Sequence, residues 1–229
     1  MKIAILGTGM VGRIISIKLN ELGHSVTLGT RNVANTLAND QPDGYGNPPF
    51  KDWHSTNQAI QLKTFKDAAS DAELVFNCTG GMVSIAALES AGEENLNGKL
   101  LIDIANPLDF SQGMPPSLNP ANTDSLGEQI QKRFPEVKVV KTLNTMNAYL
   151  MVNPSMVKGE HNVFVCGNDS NSKERTKEIL QSFGWKDNQV IDLGDISNSR
   201  GTEMLLPIWL RLWNALGTAE FNFHIQKND

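Results

Sequence analysis

The chain has 229 residues, of which 40% are hydrophobic and 20% are charged, with a formal net charge of −5 and a pI near 5.4. This charge argues against nucleic acid as a partner, because duplex binding requires a basic surface. The two cysteines, Cys78 and Cys166, lie in apolar stretches and are expected to be reduced and buried. An early Gly7 leaves no signal-peptide core, and the longest apolar run has 7 residues where a bilayer needs about 20. These features predict a soluble, cytoplasmic globular protein.

Short apolar runs alternate with segments of helical periodicity along the chain. Strands are predicted at residues 2–6, 26–28, 62–65, 74–76, 100–102, 137–140, 163–165 and 190–191. Helices are predicted at residues 10–22, 85–91, 125–134, 172–183 and 202–216. Strands that alternate with helices require crossover connections. We therefore predict an α/β fold with a doubly wound, mostly parallel sheet of the Rossmann type.

The pattern restarts on a smaller scale after residue 150, which predicts one domain at residues 1–150 and a small C-terminal α/β part at residues 151–229. The last helix is apolar nearly all round, so its own domain or a second subunit must cover it, and Pro207 should kink it. Residues 39–55 and 109–123 fit no regular element. The first segment is either a cover for a site or a tolerated surface insertion, and the second is expected to form a lid or pocket wall.

A glycine-rich loop lies between the first predicted strand and the first predicted helix. In this G-x-G-x-x-G motif the first glycine permits a tight turn and the second lets the backbone approach a pyrophosphate. The third lets the helix pack against the strand, and the helix N-terminus offers N–H groups to phosphates. With strands before and after the helix, the loop predicts a dinucleotide site. Its residues are Gly7, Thr8, Gly9, Met10, Val11 and Gly12.

The second strand ends in Thr30, Arg31 and Asn32, where an NAD-binding protein would carry an acidic residue. No acid occurs between Glu21 and Asp40, and Arg31 stands about 20 residues after the last glycine of the loop, as the motif requires. A guanidinium here favours a ribose 2′-phosphate, with Thr30 and Asn32 as further hydrogen-bond donors. The sequence therefore predicts NADP rather than NAD, with a solvated surface arginine as the less favoured alternative for Arg31 alone.

Three loops follow strands at the carboxyl edge of the predicted sheet, where the ligands of open α/β sheets bind. Their amides and hydroxyls suit the recognition of a carboxamide, and their glycines allow close approach to a flat ring. Thr79 and Asn144 are favoured as cofactor contacts, whereas Asn106 is also an ordinary turn former. The cofactor contacts predicted in these loops are Cys78, Thr79, Gly80, Asn106, Pro107, Asn144 and Thr145.

No catalytic acid or base is evident in the sequence. The four histidines are expected to be structural or at the surface, and Lys141 at a strand end is commonly structural. No cluster of His, Cys or Asp has metal-ligand spacing, so no metal site is predicted. A missing base is typical of hydride transfer between two stacked rings, in which the protein orients the rings and excludes water.

Over nearly its whole length the chain resembles the coenzyme F420-dependent NADP oxidoreductases of bacteria and archaea. It is also similar to the cytosolic NADPH-binding domain of the six-transmembrane metalloreductases. The glycine loop and the run Gly29, Thr30, Arg31 are similar to the family's phosphate site, and residues 139–145 to a strand exit of the metalloreductases. The most specific part is C-terminal, comprising residues 165–169 and 196–200 followed by Glu203, Leu206 and Pro207.

The resemblance implies a cleft in which a flavin or deazaflavin stacks over the nicotinamide of NADPH, and a homodimer that uses residues 204–216. Residues 79–81 and 109–123 depart from the pattern of deazaflavin-reducing members, and both should border the acceptor. We therefore predict an NADP-dependent oxidoreductase that moves a hydride between NADPH and a small flavin-type or deazaflavin (F420-like) acceptor. A non-catalytic NADP(H) sensor and a small hydroxyacid-type dehydrogenase are the alternatives.

Overall fold

The structure, a computed structural model, describes residues 1–42 and 46–228. Its strands are β1 (Lys2–Leu6), β2 (Ser25–Thr30), β3 (Gln61–Thr64), β4 (Leu74–Asn77), β5 (Leu100–Asp103), β6 (Leu108–Asp109), β7 (Ser117–Leu118), β8 (Lys138–Thr142), β9 (Val163–Gly167) and β10 (Val190–Asp192). Its α-helices are α1 (Met10–Glu21), α2 (Val33–Ala38), α3 (Phe50–Thr56), α4 (Phe65–Ser70), α5 (Ser84–Ala91), α6 (Glu93–Leu96), α7 (Leu126–Arg133), α8 (Ala148–Val152), α9 (Ser170–Phe183) and α10 (Ser199–Leu216).

Eight of the strands form one sheet in the order β10-β9-β8-β5-β4-β1-β2-β3. Neighbouring strands are parallel except β8 and β9, which pair antiparallel. Strand order reverses at β1, so the switch point of the sheet lies beside the loop that leaves β1. This arrangement confirms the predicted doubly wound, mostly parallel Rossmann-type sheet.

The position of the central strand β1 explains why its residues 3–6 are all apolar. Ile3 and Ile5 pack into the hydrophobic core on one face of the sheet, and Ala4 and Leu6 pack into the core on the other face. A strand with helices on both faces buries both sets of side chains, so its sequence does not alternate between apolar and polar residues. The central position of β1 holds the following glycine loop at the carboxyl edge of the sheet.

The chain beyond residue 150 adds β9 and β10 to the same sheet, next to β8. Helix α10 then returns towards α7, where Ser199 and Ser125 share a hydrogen bond of 2.7 Å. Its residues Thr202, Glu203, Leu206 and Trp209 are buried, while Met204 and Ile208 are exposed. The division of the chain into domains at residue 150 stays a prediction, as does the kink at Pro207. No helix in residues 1–42 and 46–228 is both long and apolar enough to cross a bilayer.

The expectation that residues 39–55 and 109–123 contain no regular element is wrong in part. Helix α3 begins at Phe50, which is buried and anchors the helix to the core, and residues 43–45 lie outside the described part of the chain. Strands β6, at the start of the second segment, and β7, in its middle, pair antiparallel over two residues each. Phe65, predicted as the end of a strand, starts α4 instead. Elements this short span too few residues to show a hydrophobic period.

Candidate functional site

The glycine loop joins β1 to α1 with a close fit to its neighbours. Gly7 has a φ of +117°, and a Cβ there would overlap the carbonyl oxygen of Cys78. A Cβ at Gly12 would overlap the carbonyl oxygen of Gly7. Gly9 differs, because no described residue other than its two chain neighbours has an atom within 4 Å of the position that a Cβ would take. Gly9 is therefore the point of the loop at which a ligand can reach the backbone.

The N-terminus of α1 is arranged to accept an anion. Gly9 is the N-cap residue, so no capping side chain bonds the first-turn amides, and the first turn carries no acidic residue. Unbonded N–H groups at a helix N-terminus attract phosphate through hydrogen bonds and the helix dipole. The loop thus presents an anion site at the switch point of the sheet.

Arg31 lies after β2 and is exposed at a cavity of about 400 Å³ that Thr8, Gly9 and Asn32 also line. Asn32 caps α2, since its Oδ1 accepts a hydrogen bond of 2.9 Å from the backbone N–H of Asn35. The side-chain amide nitrogen of Asn32 can therefore donate a hydrogen bond to a ligand in the cavity. The cavity therefore combines a guanidinium and an amide beside the glycine loop, which is the chemistry that a phosphate monoester requires.

Thr30 also lines this cavity, and its hydroxyl is hydrogen-bonded to a neighbouring threonine. Thr36 donates its hydroxyl proton to the carbonyl oxygen of Asn32 at 2.9 Å, and the hydroxyls of Thr30 and Thr36 are 2.7 Å apart. The proton between the two threonines must therefore come from Thr30. In this arrangement Thr30, which is buried, braces α2 through Thr36 and does not donate into the cavity.

Arg13, which the sequence analysis missed, lines the same cavity. Its Nε donates to the carbonyl oxygen of Thr8 at 2.9 Å, and its Nη1 donates to the carbonyl oxygen of Pro48 at 2.8 Å. The guanidinium also lies 5.3 Å from the ring centroid of Phe50 and 5.9 Å from that of Trp53. Arg13 therefore holds the start of α3 against the glycine loop. The sequence carried only a weak signal for it, a basic residue directly after the last glycine of the motif.

A second cavity of about 560 Å³ opens at the carboxyl edge of the sheet. It brings together many of the predicted contacts, and its lining includes Gly9, Met10, Val11, Cys78, Thr79, Gly80, Asn106 and Asn144. Pro107 and Thr145 are buried and do not line it. Met82, Val83 and Phe110 also line it and are exposed.

Cys78 is the only ionisable side chain that lines this second cavity, all of whose lining residues the structure describes. Burial, and then the charge of Asp103, raise the pKa of the Cys78 thiol well above its ordinary value, so the sulfur stays protonated at neutral pH. None of the four histidines lines either cavity. His161 is held by Pro154 and Asn222, each at 3.0 Å, as a structural residue. In the described residues no group of three His, Cys, Asp or Glu could hold a metal ion.

Asn106 and Asn144 are paired across this second cavity. Asn106 donates to the backbone carbonyl of Asn144 at 2.8 Å, and the Asn144 amide donates to Oδ1 of Asn106 at 2.9 Å. Oδ1 of Asn144 is buried and has no hydrogen-bond partner within residues 1–42 and 46–228. Such an acceptor loses hydrogen bonds to water without replacement unless a ligand N–H reaches it. The preceding Leu143 has a φ of +62°, a strained conformation of the kind found at functional sites.

Behind the cavity wall, Lys141 is completely buried between two carboxylates. Its Nζ lies 2.8 Å from Asp103 and 2.7 Å from Glu203, and it donates to the carbonyl oxygen of Ala105 at 2.5 Å. Burial by itself lowers the pKa of Lys141, but the charges of Asp103 and Glu203 outweigh burial and raise it. A structural role for Lys141 is predictable from its place at a strand end, but its contacts with Asp103 and Glu203 are not. Asp103 and Lys141 are direct neighbours in the register of β5 and β8, a pairing that becomes visible only with the strand order.

The charged cluster is connected to the cavity by a chain of hydrogen bonds. Asn77 donates to Oδ1 of Asp103 at 2.8 Å, and Thr79 donates to Oδ1 of Asn77 at 2.7 Å. Thr79 lines the cavity, as does Ala105, whose carbonyl binds Lys141. The position of Thr79 is therefore set by the same network that holds the buried charges.

A Rossmann-type sheet with a glycine loop at its switch point and an arginine after β2 defines a dinucleotide-binding protein of the NADP class. Residues 2–107 match the family described as NADP oxidoreductase, coenzyme F420-dependent. The chain is 60% identical to an Arthrobacter sp. FB24 protein assigned as an F420-dependent NADP reductase, covering 99% of this chain and 100% of that one, with a TM-score of 0.94. The chain belongs to this family and is an NADP-dependent oxidoreductase, as its sequence predicted.

The predicted similarity to the metalloreductases is also confirmed. The chain is 26% identical over 218 residues to metalloreductase STEAP3 of Rattus norvegicus and 22% identical over 231 residues to metalloreductase STEAP2 of Homo sapiens. These matches cover 91% and 96% of this chain but only 38% and 40% of the two relatives. The chain thus spans about two fifths of the length of these proteins.

Proposed function

We propose that the chain binds NADPH across both cavities and reduces a flavin-type or deazaflavin acceptor in the carboxyl-edge cavity. The observation that carries this proposal is that Gly9 lines both cavities and is open to a ligand. A dinucleotide has two halves joined by a pyrophosphate, and the loop around Gly9 offers an anion site between two spaces of suitable size.

The residues present fit the two halves of NADPH. Arg31 and Asn32 would hold the 2′-phosphate, and the loop from Gly7 to Gly12 would hold the pyrophosphate. The unpartnered Oδ1 of Asn144 would accept a hydrogen bond from the carboxamide. The other contacts that we propose for the nicotinamide half are Cys78, Thr79, Gly80 and Asn106, whereas Pro107 and Thr145 do not line the cavity and would support its wall. When bound, NADPH supplies a hydride.

The apolar lining supports a planar ring as acceptor. Met82, Val83 and Phe110 present exposed apolar surface on the cavity, on which an aromatic ring can stack. No group with a pKa suited to proton transfer lines the cavity, so the chain's own contribution is to orient the rings and exclude water. The Arthrobacter relative is an F420-dependent NADP reductase, and the deazaflavin F420 is a planar-ring acceptor of this kind.

The cofactor assignment is tested with Arg31→Asp. We expect the dissociation constant of NADPH to rise at least tenfold, because a carboxylate repels the 2′-phosphate, while that of NADH changes much less. Both constants are measured by fluorescence titration. Arg175→Asp, an exposed position on α9, is the matched control. Equal losses for NADPH and NADH would refute the role of Arg31.

The acceptor assignment is tested by following the loss of NADPH absorbance with F420, FMN, FAD and riboflavin in turn. Phe110→Ala should raise KM for the best acceptor several-fold and leave the dissociation constant of NADPH unchanged, because its ring borders the acceptor side. Tight binding of NADPH without turnover on any acceptor would favour the alternative, an NADP(H) sensor.

We also propose a homodimer in which a second copy covers the exposed face of α10. Met204, Ile208 and Leu216 present apolar surface there. Light scattering after size exclusion should give twice the mass of the chain, and Ile208→Glu should reduce it to that of a monomer. A monomeric wild-type protein would contradict the proposal.

A further inference from the structure

The buried cluster of Lys141, Asp103 and Glu203 carries one positive and two negative groups. Lys141 directs its three N–H bonds to Asp103, Glu203 and the carbonyl oxygen of Ala105, so its ammonium group is fully bonded. All three side chains are almost completely buried, at 0%, 0% and 2% exposed. Water can therefore screen these charges only weakly.

Both carboxylates are surrounded by donors, which identifies them as ionised. Besides Lys141, Glu203 accepts from the backbone N–H groups of Leu126 at 2.9 Å and Gly127 at 3.1 Å. Asp103 accepts from the side chain of Asn77 at 2.8 Å and from the backbone of Ala105 at 3.2 Å. If either carboxyl group were protonated, its O–H would face another hydrogen-bond donor instead of an acceptor.

The surroundings do not cancel the remaining charge. Cys166 stands opposite Lys141 in the register of β8 and β9, and burial raises the pKa of its thiol to about 12, so it is neutral. Glu128 pairs with Arg200, which makes that neighbouring pair neutral as well. The N-terminus of α7 contributes only a partial positive charge beside Glu203. The cluster therefore has a net charge of about −1.

The cluster lies directly behind the carboxyl-edge cavity. Ala105 lines the cavity with its own surface and binds Lys141 through its carbonyl group. Asn77 connects Asp103 to Thr79, which also lines the cavity. The space between the cluster and a ligand in the cavity is thus filled by protein, in which charges act over longer distances than in water.

We propose that this buried negative cluster makes the site bind the oxidised nicotinamide more tightly, relative to the reduced form, than a neutral wall would. The inference rests on the proposed function, because it requires NADP(H) in this cavity. A nicotinamide ring is neutral when reduced and carries one positive charge when oxidised. The cluster therefore positions charge to favour hydride donation by the bound cofactor.

The test is the ratio of the dissociation constants of NADP⁺ and NADPH, measured by titration without any acceptor. Glu203→Gln removes one negative charge and should raise this ratio about fivefold to tenfold, a size expected for one buried charge at moderate distance. Asp103→Asn removes the other negative charge and should also raise the ratio. The test therefore requires only one of the two variants to fold. A tenfold change corresponds to about 30 mV in a two-electron couple.

Two further variants separate charge from shape. The double variant Lys141→Gln/Glu203→Gln restores the net charge to −1 and should return the ratio towards that of the wild type. Glu128→Gln makes the same substitution between the same two helices, at a partly exposed position, and should leave the ratio unchanged.

The outcomes distinguish this inference from the proposed function. If both nucleotides bind and the ratio stays within twofold in Glu203→Gln and Asp103→Asn, the inference is wrong and the cofactor assignment stands. A shift that the double variant fails to reverse would also overturn the inference. If the wild type binds neither nucleotide, both proposals fail.

Discussion

Arg13 donates a hydrogen bond of 2.8 Å to the carbonyl oxygen of Pro48, a residue 35 positions further along the chain. Through its Nε the same side chain holds Thr8 of the glycine loop. The segment before α3 is thereby attached to the loop that we propose binds the pyrophosphate. An otherwise irregular part of the chain thus becomes one wall of the cavity that contains Arg31.

We expect Arg13→Met to weaken NADPH binding about threefold to tenfold and to lower the free energy of unfolding by about 1–3 kcal/mol. The variant keeps much of the aliphatic volume but removes the donors from two carbonyl oxygens and the contacts with two aromatic rings. Fluorescence titration and urea denaturation measure the two effects. Arg175→Met on the surface of α9 is the control. Unchanged affinity would show that the wall does not contribute to the cofactor site.

Alanine substitutions at two glycines of the loop should have different effects, one on stability and the other on NADPH binding. Gly12→Ala should lower the free energy of unfolding by about 2–4 kcal/mol, since its Cβ would overlap the carbonyl oxygen of Gly7. Gly9→Ala should alter stability by less than about 0.5 kcal/mol, yet weaken NADPH binding at least tenfold. Urea denaturation and NADPH titration of both variants check this.

Gly201→Ala in α10 provides the control for these glycine substitutions, because it also has no neighbour within 4 Å of its Cβ. We expect it to be neutral or up to about 1 kcal/mol more stable, as alanine favours a helix. Wild-type affinity for NADPH in Gly9→Ala would exclude the loop as the pyrophosphate site.

Lys141→Met should destabilise the protein by about 3–5 kcal/mol at neutral pH, because it leaves two buried carboxylates without their cation. One of these carboxyls then takes up a proton more readily, which relieves the repulsion. The defect should therefore be smaller at about pH 5 than at about pH 8, as urea denaturation at both values can show. Lys173→Met, which breaks the less buried pair with Asp192, should lose only about 1 kcal/mol. A defect independent of pH would contradict this account.

The pair between Glu128 and Arg200 should stabilise the protein in a pH-dependent way. The hydrogen bond from Arg200 is the main cause that holds the pKa of Glu128 below its ordinary value of 4.5. A depressed folded pKa contributes stability that is complete above pH 4.5 and is lost as the pH falls through the lowered value. Wild type should therefore exceed Glu128→Gln by up to about 1 kcal/mol at neutral pH, with the difference vanishing in acid. Thermal denaturation across this range measures it, and a constant difference would exclude ionisation as the cause.

Much of the fold could be predicted from the sequence because its information is local. The apolar run at β1 and the following glycines lie within a dozen residues, and their spacing indicates a strand, a turn and a helix. Arg31 could be predicted for the same reason, since its distance from the loop is determined by one helix and one strand. The predicted order of the long strands and helices is confirmed, whereas the short helices α2, α3, α4, α6 and α8 and the β6-β7 ribbon were missed.

The contacts that complete the candidate site join residues far apart in the chain. Lys141 meets Asp103 because β8 lies beside β5, and it meets Glu203 because α10 returns to the end of the sheet. Asn144 and Asn106 pair across two loops in the same way. Sequence periodicity indicates whether a side chain is buried. Which residue that side chain contacts depends on strand order and helix packing. The sequence therefore predicts the glycine loop and the arginine after β2 as a cofactor site, and only the tertiary structure reveals the buried charges behind the cavity.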